Sequence, residues 1–179
     1  GYRSSPYEMS RLKAMEEALG ARFYSSVLEV GCAEGAFTEK LARHAGRVTA
    51  IDISSVALAR ARLAGRPRVE FIEADIRDWT PFSGQTYDLI ILGDVLYYLD
   101  KPLVQGPFEQ TFSRVRSWLK PGGRLLLAHG FAGPAERVHR QGFGRRFEAL
   151  GLKLVEERSI EGGASSPGVS CLLTVLDVP

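Results

Sequence analysis

Apolar positions along this chain alternate between a helical and a strand-like period. Over 7–19, Met9, Leu12, Met15 (or Glu16) and Leu19 fall near helical spacing and Gly20 follows as a stop, which predicts an N-terminal helix. The β-branched run 26–30 predicts a strand leading into a turn bounded by Gly31 and Gly35, and Phe37, Leu41 and Ala45 then return to helical spacing. Gly46 ends that helix, 48–51 predicts a second strand, Ser54 or Ser55 supplies a cap for a helix over 56–64, and 69–72 predicts a third strand. The run 87–92 is almost continuously apolar, as a parallel strand covered on both faces must be, so it belongs in the middle of a sheet. A helix through Phe108, Phe112, Val115 and Leu119 stops at Pro121-Gly122-Gly123, and 124–128 predicts a fifth strand. After a looser stretch containing Gly130, Gly133 and Pro134, a helix over 143–150 leads to strands over 152–160 and 169–178, joined by a Gly/Ser/Pro turn.

Strands and helices in strict alternation require right-handed crossovers and a parallel sheet. The last two strands read as a hairpin that adds one antiparallel strand at the edge. The fold class is therefore α/β, with a mostly parallel seven-stranded sheet, helices on both faces, and a ligand site beyond the carboxyl ends of the strands. With 179 residues, 45% of them apolar, residues 1–179 are expected to form one domain, in which 1–20 is a helical cap segment.

Composition narrows the partners. The 23 basic and 21 acidic residues leave a net charge of +2, and no basic block interleaved with aromatics marks a nucleic-acid face. The most apolar runs, 89–92 and 125–128, fall far short of the ~20 residues that span a bilayer, and no leader-like apolar run lies near the start. Cys32 and Cys171 stand alone in strand-like contexts, so reduced thiols and a cytoplasmic location are expected, and three scattered histidines cannot complete a zinc site. No metal is expected.

The candidate chemistry lies at strand ends. In Glu29-Val30-Gly31-Cys32-Ala33-Glu34-Gly35 the two glycines let the backbone turn sharply at the point where such sheets approach a cofactor. The spacing departs from GxGxxG, which argues for a nucleoside ligand over a dinucleotide pyrophosphate. Asp52, directly after the second strand, is placed to accept from both ribose hydroxyls, while Ser54 and Ser55 are free to cap the next helix. Asp75, after the third strand, can accept from an adenine amino group while Ile76 packs on the ring.

Taken together, Glu29-x-Gly31-x-Ala33-x-Gly35, Asp52, Ala74-Asp75-Ile76, the strand opening Tyr87-Asp88 and Leu119-Lys120-Pro121-Gly122-Gly123 resemble the class I methyltransferases, whose fold is Rossmann-like, over nearly the whole chain. Ser5-Pro6-Tyr7-Glu8, Arg77-Asp78-Trp79, Val95-Leu96-Tyr97-Tyr98-Leu99 and Ala128-His129 resemble the narrower nodulation protein S-like group. Ala33 departs from the glycine commonest in the family loop. The resemblance implies S-adenosyl-L-methionine as cofactor and S-adenosyl-L-homocysteine as product. It implies that Glu29 orients the turn and the cofactor amine, and that Gly31, Ala33 and Gly35 pass under ribose and methionine. Asp52 with Ile53 would hold the ribose, Ala74, Asp75 and Ile76 the adenine, and Gly93 and Asp94 the methionine end. Arg3 and Tyr7 would fold over the cofactor by carboxylate pairing and by shielding the sulfonium; as residues of a loose terminus they have an equally simple surface role.

Transfer from a sulfonium is an in-line displacement that gains from alignment and exclusion of water, without a metal or covalent intermediate. The acceptor side is expected at Asp94, Tyr97, Tyr98 and His129, with His129 the natural base because its pKa lies nearest neutrality. For the narrower group the resemblance implies N-methylation of an amino sugar on a chito-oligosaccharide. A small-molecule or saccharide acceptor is the broader expectation; O-methylation of a small natural product and a non-catalytic nucleoside-binding scaffold are the alternatives. A nicotinamide oxidoreductase lacks GxGxxG and a Tyr-xxx-Lys pair here, and Gly93-Asp94-Val95-Leu96 lacks the Pro-Pro-aromatic run of amino-directed DNA enzymes. Substrate selection is expected in the N-terminal segment and in 131–142, the stretches long and irregular enough to close over the site.

Overall fold

In the computed structural model, which describes residues 5–100 and 105–179, the first half of the chain forms α1 (Pro6–Ala18), β1 (Tyr24–Val30), α2 (Ala36–Leu41), β2 (Ala45–Asp52), α3 (Ser55–Arg62), β3 (Val69–Glu73) and β4 (Tyr87–Gly93). It continues through α4 (Leu96–Leu99), α5 (Gln105–Trp118), β5 (Leu119–Phe131), α6 (Pro134–Ala149), β6 (Lys153–Glu161) and β7 (Ser170–Asp177). The seven strands form one sheet in the order β3-β2-β1-β4-β5-β7-β6. β1 to β5 pair in parallel, and β7 is antiparallel to both of its neighbours. This is the Rossmann-like class I methyltransferase fold.

The antiparallel strand is not at the edge, as the hairpin reading expected, but inserted between β5 and β6. The sequence holds the reason: β7 is apolar almost without a break and buried along its length, whereas β6 carries Lys153, Glu156, Glu157, Arg158 and Glu161 and is largely exposed or half-buried. A strand covered on both faces belongs inside a sheet, and a charged one guards its edge.

Successive side chains alternate between the two faces. Val27, Leu89, Ile91, Leu126, Ala128 and Leu173 pack under α1, α2 and α3. Leu28, Ile90, Leu92, Leu125, Leu127 and Leu176 pack under α4, α5 and α6. On the second face Phe108 and Phe112 meet Phe143 and Phe147, with Phe112 and Phe147 ring centroids 5.0 Å apart. Burying each such ring contributes about 1.5–3 kcal/mol, which fixes α5 against α6.

Three further expectations change. Ala45 opens β2 instead of continuing a helix, because α2 ends at Leu41. Met9 is 59% exposed; the face that α1 buries is Tyr7, Arg11, Ala14, Met15 and Ala18, a helical stripe that includes an arginine. The stretch 131–142 is not an irregular lid: α6 starts at Pro134, whose fixed φ suits a first helical position, with Glu136 in the first turn. No helix among the described residues is long and apolar enough to cross a membrane.

Candidate functional site

A cavity of about 730 Å3 lies at the carboxyl ends of β1 to β4, within the ~300–1,000 Å3 of ligand sites. The turn after β1, Asp52 and Ile53, the loop from Ala74 to Arg77, and Gly93 to Val95 form most of its wall. Glu8 and Arg11 of α1 and Tyr98 and Leu99 of α4 complete it.

Gly31 has φ +80°, and a Cβ there would run into the Gly93 carbonyl and lie 2.7 Å from Val95 Cγ2. Glycine is needed because the turn rests on the end of β4. Ala33 is also in the left-handed region, and its N–H donates to Asp52 Oδ2 at 2.8 Å. Asp52 Oδ1 accepts from Ser54 N at 2.9 Å, and Ser54 Oγ caps α3 by accepting from Ala57 N at 3.2 Å. Capping thus falls to Ser54, and Asp52 stays on the cavity wall, tying β2 to the turn. Gly35, at φ +77°, opens α2 and faces Ala61 and Phe71 rather than the cavity.

Asp75 is held by its neighbour Arg77, which donates its backbone N–H at 2.9 Å and its Nε–H at 3.0 Å to Oδ1. These bonds keep the Asp75 carboxyl below the usual aspartate range. The loop is pinned from behind by Arg114 of α5, whose guanidinium donates to the carbonyls of Ile76 at 3.0 Å, Arg77 at 2.6 Å and Trp79. Arg114 does not stand out in the sequence; only the structure brings it against the carbonyls of this loop.

Glu29 is 4% exposed and accepts from Thr38 Oγ1 at 2.6 Å. Burial pushes its carboxyl up to about 8, because the charged form loses its water. At the other end of the cavity, Arg11 Nη2 pairs with Asp94 Oδ2 at 2.5 Å and donates to the Ala128 carbonyl at 3.2 Å, while its buried Nε has no hydrogen-bond partner among the described residues. Asp94, at φ +52°, accepts from Gly130 N at 2.7 Å through its other oxygen. Burial alone would raise the Asp94 carboxyl, but Arg11 and the Gly130 N–H outweigh it and hold it below the usual range.

Several expected site residues are placed differently. Arg3 lies outside the described residues. Tyr7 is packed in the core beneath α1 and does not line the cavity, which Glu8 and Arg11 of the same helix do. Tyr98 lines it and is 61% exposed, its ring 4.4 Å from Tyr97, over which the Arg140 guanidinium sits at 4.3 Å. His129 does not reach it. Strand parity puts Ala128 on the α1 face and His129 on the α5/α6 face, between Tyr97 and Phe143, with Nε2 accepting from Leu96 N at 3.3 Å. Burial lowers its pKa to about 3, so it is neutral and holds the start of α4.

Residues 27–123 match the family described as methyltransferase domain. The chain is similar to nodulation protein S of Sinorhizobium fredii, 32% identical over 153 residues that cover 84% of this chain and 68% of that protein. It is similar also to the crystal structure of N-methyltransferase NodS from Bradyrhizobium japonicum WM9, with TM-score 0.82, 29% identity and 98% of each chain covered. The complex of that enzyme with S-adenosyl-L-homocysteine superposes with TM-score 0.81 and 27% identity, covering 98% of this chain and 89% of that one.

Proposed function

We propose that this chain, which belongs to the class I S-adenosylmethionine-dependent methyltransferases in their nodulation protein S-like group, methylates the nitrogen of an amino-sugar acceptor. The enzyme class and its cofactor follow from that membership; the acceptor and the residue roles are our reading. When bound, S-adenosylmethionine supplies an electrophilic sulfonium methyl for in-line transfer.

The residues of the cavity fit that group. Asp52 accepts from the ribose hydroxyls, Asp75 from the adenine amino group in exchange for part of its Arg77 contact, and Ile53 and Ile76 pack on the nucleoside. Arg11, which lines the cavity, takes the methionine carboxylate, and Glu29 faces the amino group. Gly31, Ala33, Ala74 and Gly93 keep the wall thin, and Asp94 and Tyr98 border the reacting end.

The choice of nitrogen rests on one observation: of the bases expected at the acceptor end, His129 and Asp94, neither is free to take a proton from a hydroxyl. His129 is buried and turned away, and the Asp94 carboxylate is paired to Arg11. A hydroxyl acceptor needs a base within hydrogen-bond reach, whereas an amine with a pKa near ~8 is partly neutral at pH 7 and arrives ready to react. The N-methyltransferase activity in the name of the similar solved structure supports the same choice.

The test is calorimetry with S-adenosylmethionine and S-adenosylhomocysteine on wild type and Asp52→Asn, followed by methyl transfer to amino sugars and to their hydroxylated counterparts. Asp52→Asn is expected to weaken nucleoside binding by ~10-fold or more, since a hydrogen bond to a charged group contributes ~1.5–3 kcal/mol. Methyl appearing on oxygen alone would reject the acceptor assignment, and unchanged affinity in the variant would reject the role of Asp52.

A further inference from the structure

Arg140 is 9% exposed and lies on the inward face of α6. Its guanidinium meets groups from β5, α4 and α6 itself. Nε donates to the Gly130 carbonyl at 2.9 Å, Cζ sits 4.3 Å from the centroid of the Tyr97 ring, and Nη2 pairs with Glu136 Oε2 at 3.7 Å. Nη1 faces His139 Nδ1. An arginine only donates, so Nδ1 accepts and the ring proton of His139 sits on Nε2, which gives it to Asp100 at the carboxyl end of α4. Arg140 and its neighbour therefore tie α6 to both ends of the last turn before the described chain leaves α4.

Arg140 is not on the wall of the cofactor cavity, and stability does not call for a charge at its position. Burying a guanidinium costs its hydration, and an apolar side chain of similar volume would pack on Tyr97 without that cost. What an arginine adds is the ability to hold two groups at once, and the two it holds are those that flank Asp94. Gly130 donates its N–H to Asp94 Oδ1 at 2.7 Å. Burial first, and Asp94 second, push the Tyr97 hydroxyl above its usual range, so it keeps its proton beside that carboxylate. Tyr97 also supports Tyr98, whose ring lies 4.4 Å from its own and which lines the cavity. Arg11 holds the other oxygen of Asp94 from α1. Arg140 closes the frame from the α6 side.

We propose that Arg140 is a positioning residue for methyl transfer: by clamping the Gly130 carbonyl and the Tyr97 ring, it sets where Asp94 and Tyr98 stand at the reacting end of the cavity. It acts through these residues and touches neither cofactor nor acceptor. The proposal rests on the reading above that Asp94 and Tyr98 border the acceptor. Its consequence is a split: loss of Arg140 slows transfer and leaves cofactor binding alone, since a misplacement of ~1 Å costs as much as ~100-fold in rate.

The experiment compares wild type with Arg140→Lys, Arg140→Met, Tyr97→Leu and the double variant Arg140→Met/Tyr97→Leu. S-adenosylhomocysteine affinity by calorimetry is the control for folding. One readout is steady-state methylation of glucosamine; the other is the NMR resonance of the Gly130 amide in ligand-free protein, which a carboxylate partner holds downfield. In Arg140→Met, kcat is expected to fall roughly tenfold or more, with the KM for S-adenosylmethionine and the S-adenosylhomocysteine affinity unchanged, and the Gly130 amide to move upfield. Arg140→Lys, which keeps a cation on the ring, should recover part of the rate. The losses in Arg140→Met and Tyr97→Leu should be less than additive in the double variant, because both act on the same groups. Wild-type turnover in Arg140→Met, fully additive losses or an unmoved Gly130 amide overturns the proposal. Should Arg140→Met not fold, Arg140→Lys and Tyr97→Leu decide it by the same split between kcat and S-adenosylhomocysteine affinity. Absence of amino-sugar methylation by wild type that binds S-adenosylhomocysteine rejects the acceptor reading instead, and the Gly130 amide then decides whether Arg140 sets the place of Asp94.

Discussion

Glu29 offers the sharpest quantitative test of the site. Its carboxyl is pushed up to about 8 by burial, against ~4.3 in the unfolded chain. Between those values the folded protein holds a proton that the unfolded chain has released, so stability falls as pH rises. The contribution is fully present below the unfolded pKa and is lost as pH passes through about 8. At ~1.4 kcal/mol per pKa unit, the loss between pH 5 and pH 8 is about 3 kcal/mol. Glu29→Gln keeps an oxygen to accept from Thr38 Oγ1 and has nothing to titrate. Urea unfolding of both proteins across that range should show wild type losing about 3 kcal/mol relative to the variant. Other carboxyls titrate in both proteins alike, so the difference between the two curves isolates Glu29. Parallel curves would refute the neutral carboxyl. The same group links to the ligand, because a cationic amino group beside Glu29 lowers its pKa and drives its proton off. Calorimetry in two buffers of different ionisation heat should therefore find proton release on S-adenosylhomocysteine binding near pH 7 in wild type and less in Glu29→Gln. Equal release in the two would move the amino group away from Glu29.

Two further substitutions test the geometry. Gly31→Ala places a Cβ in the left-handed region and against the Gly93 carbonyl and Val95, at a cost of about 2–5 kcal/mol from backbone strain and overpacking; chemical denaturation should show that loss, and an unchanged midpoint would mean that the turn does not rest on β4. His129→Gln removes the imidazole that accepts from Leu96 N and should cost ~1–3 kcal/mol of stability, yet the pH–rate profile should keep its shape, since a histidine with a pKa of about 3 has no limb near neutrality. A limb near pH 6.5 in wild type that vanishes in the variant would restore His129 as a proton acceptor.

Most of the cavity wall at the strand ends was legible in the sequence because it is written locally. Gly31 follows β1, Asp52 ends β2, Asp75 lies two residues past β3 and Gly93 ends β4, and the sheet's own topology gathers strand ends. What the sequence hid was set by partners far along the chain. Hydrophobic counting put Met9 inside α1 and gave no place to Arg11, because the charge that makes a buried Arg11 tolerable belongs to Asp94 on another element. The same physics concealed the first half of α6, which was expected only from 143 onward: its inward face includes Arg140, whose guanidinium lies on the Tyr97 ring and donates to the Gly130 carbonyl at 2.9 Å. Read as polar, that face looks like a loop, although Gly133-Pro134 with Glu136 behind it is a helix-start signal.

His129 and β7 failed differently, since the needed information was present. Adjacent residues on a strand face opposite ways, so Ala128 against the α1 face already fixed His129 on the other one. The unbroken apolar run of β7 beside the charged β6 already said which of the two was interior. Moving β7 inward has a structural consequence that an edge position would not have had. It sets Ser170 at the start of β7 opposite Phe131, and Glu161 at the end of β6 opposite Ser170, so the charged edge strand ends on the same rim as β5. The wall of the cavity thus follows from turns that any such sheet must make, while the order of the last two strands is decided by packing across the whole sheet.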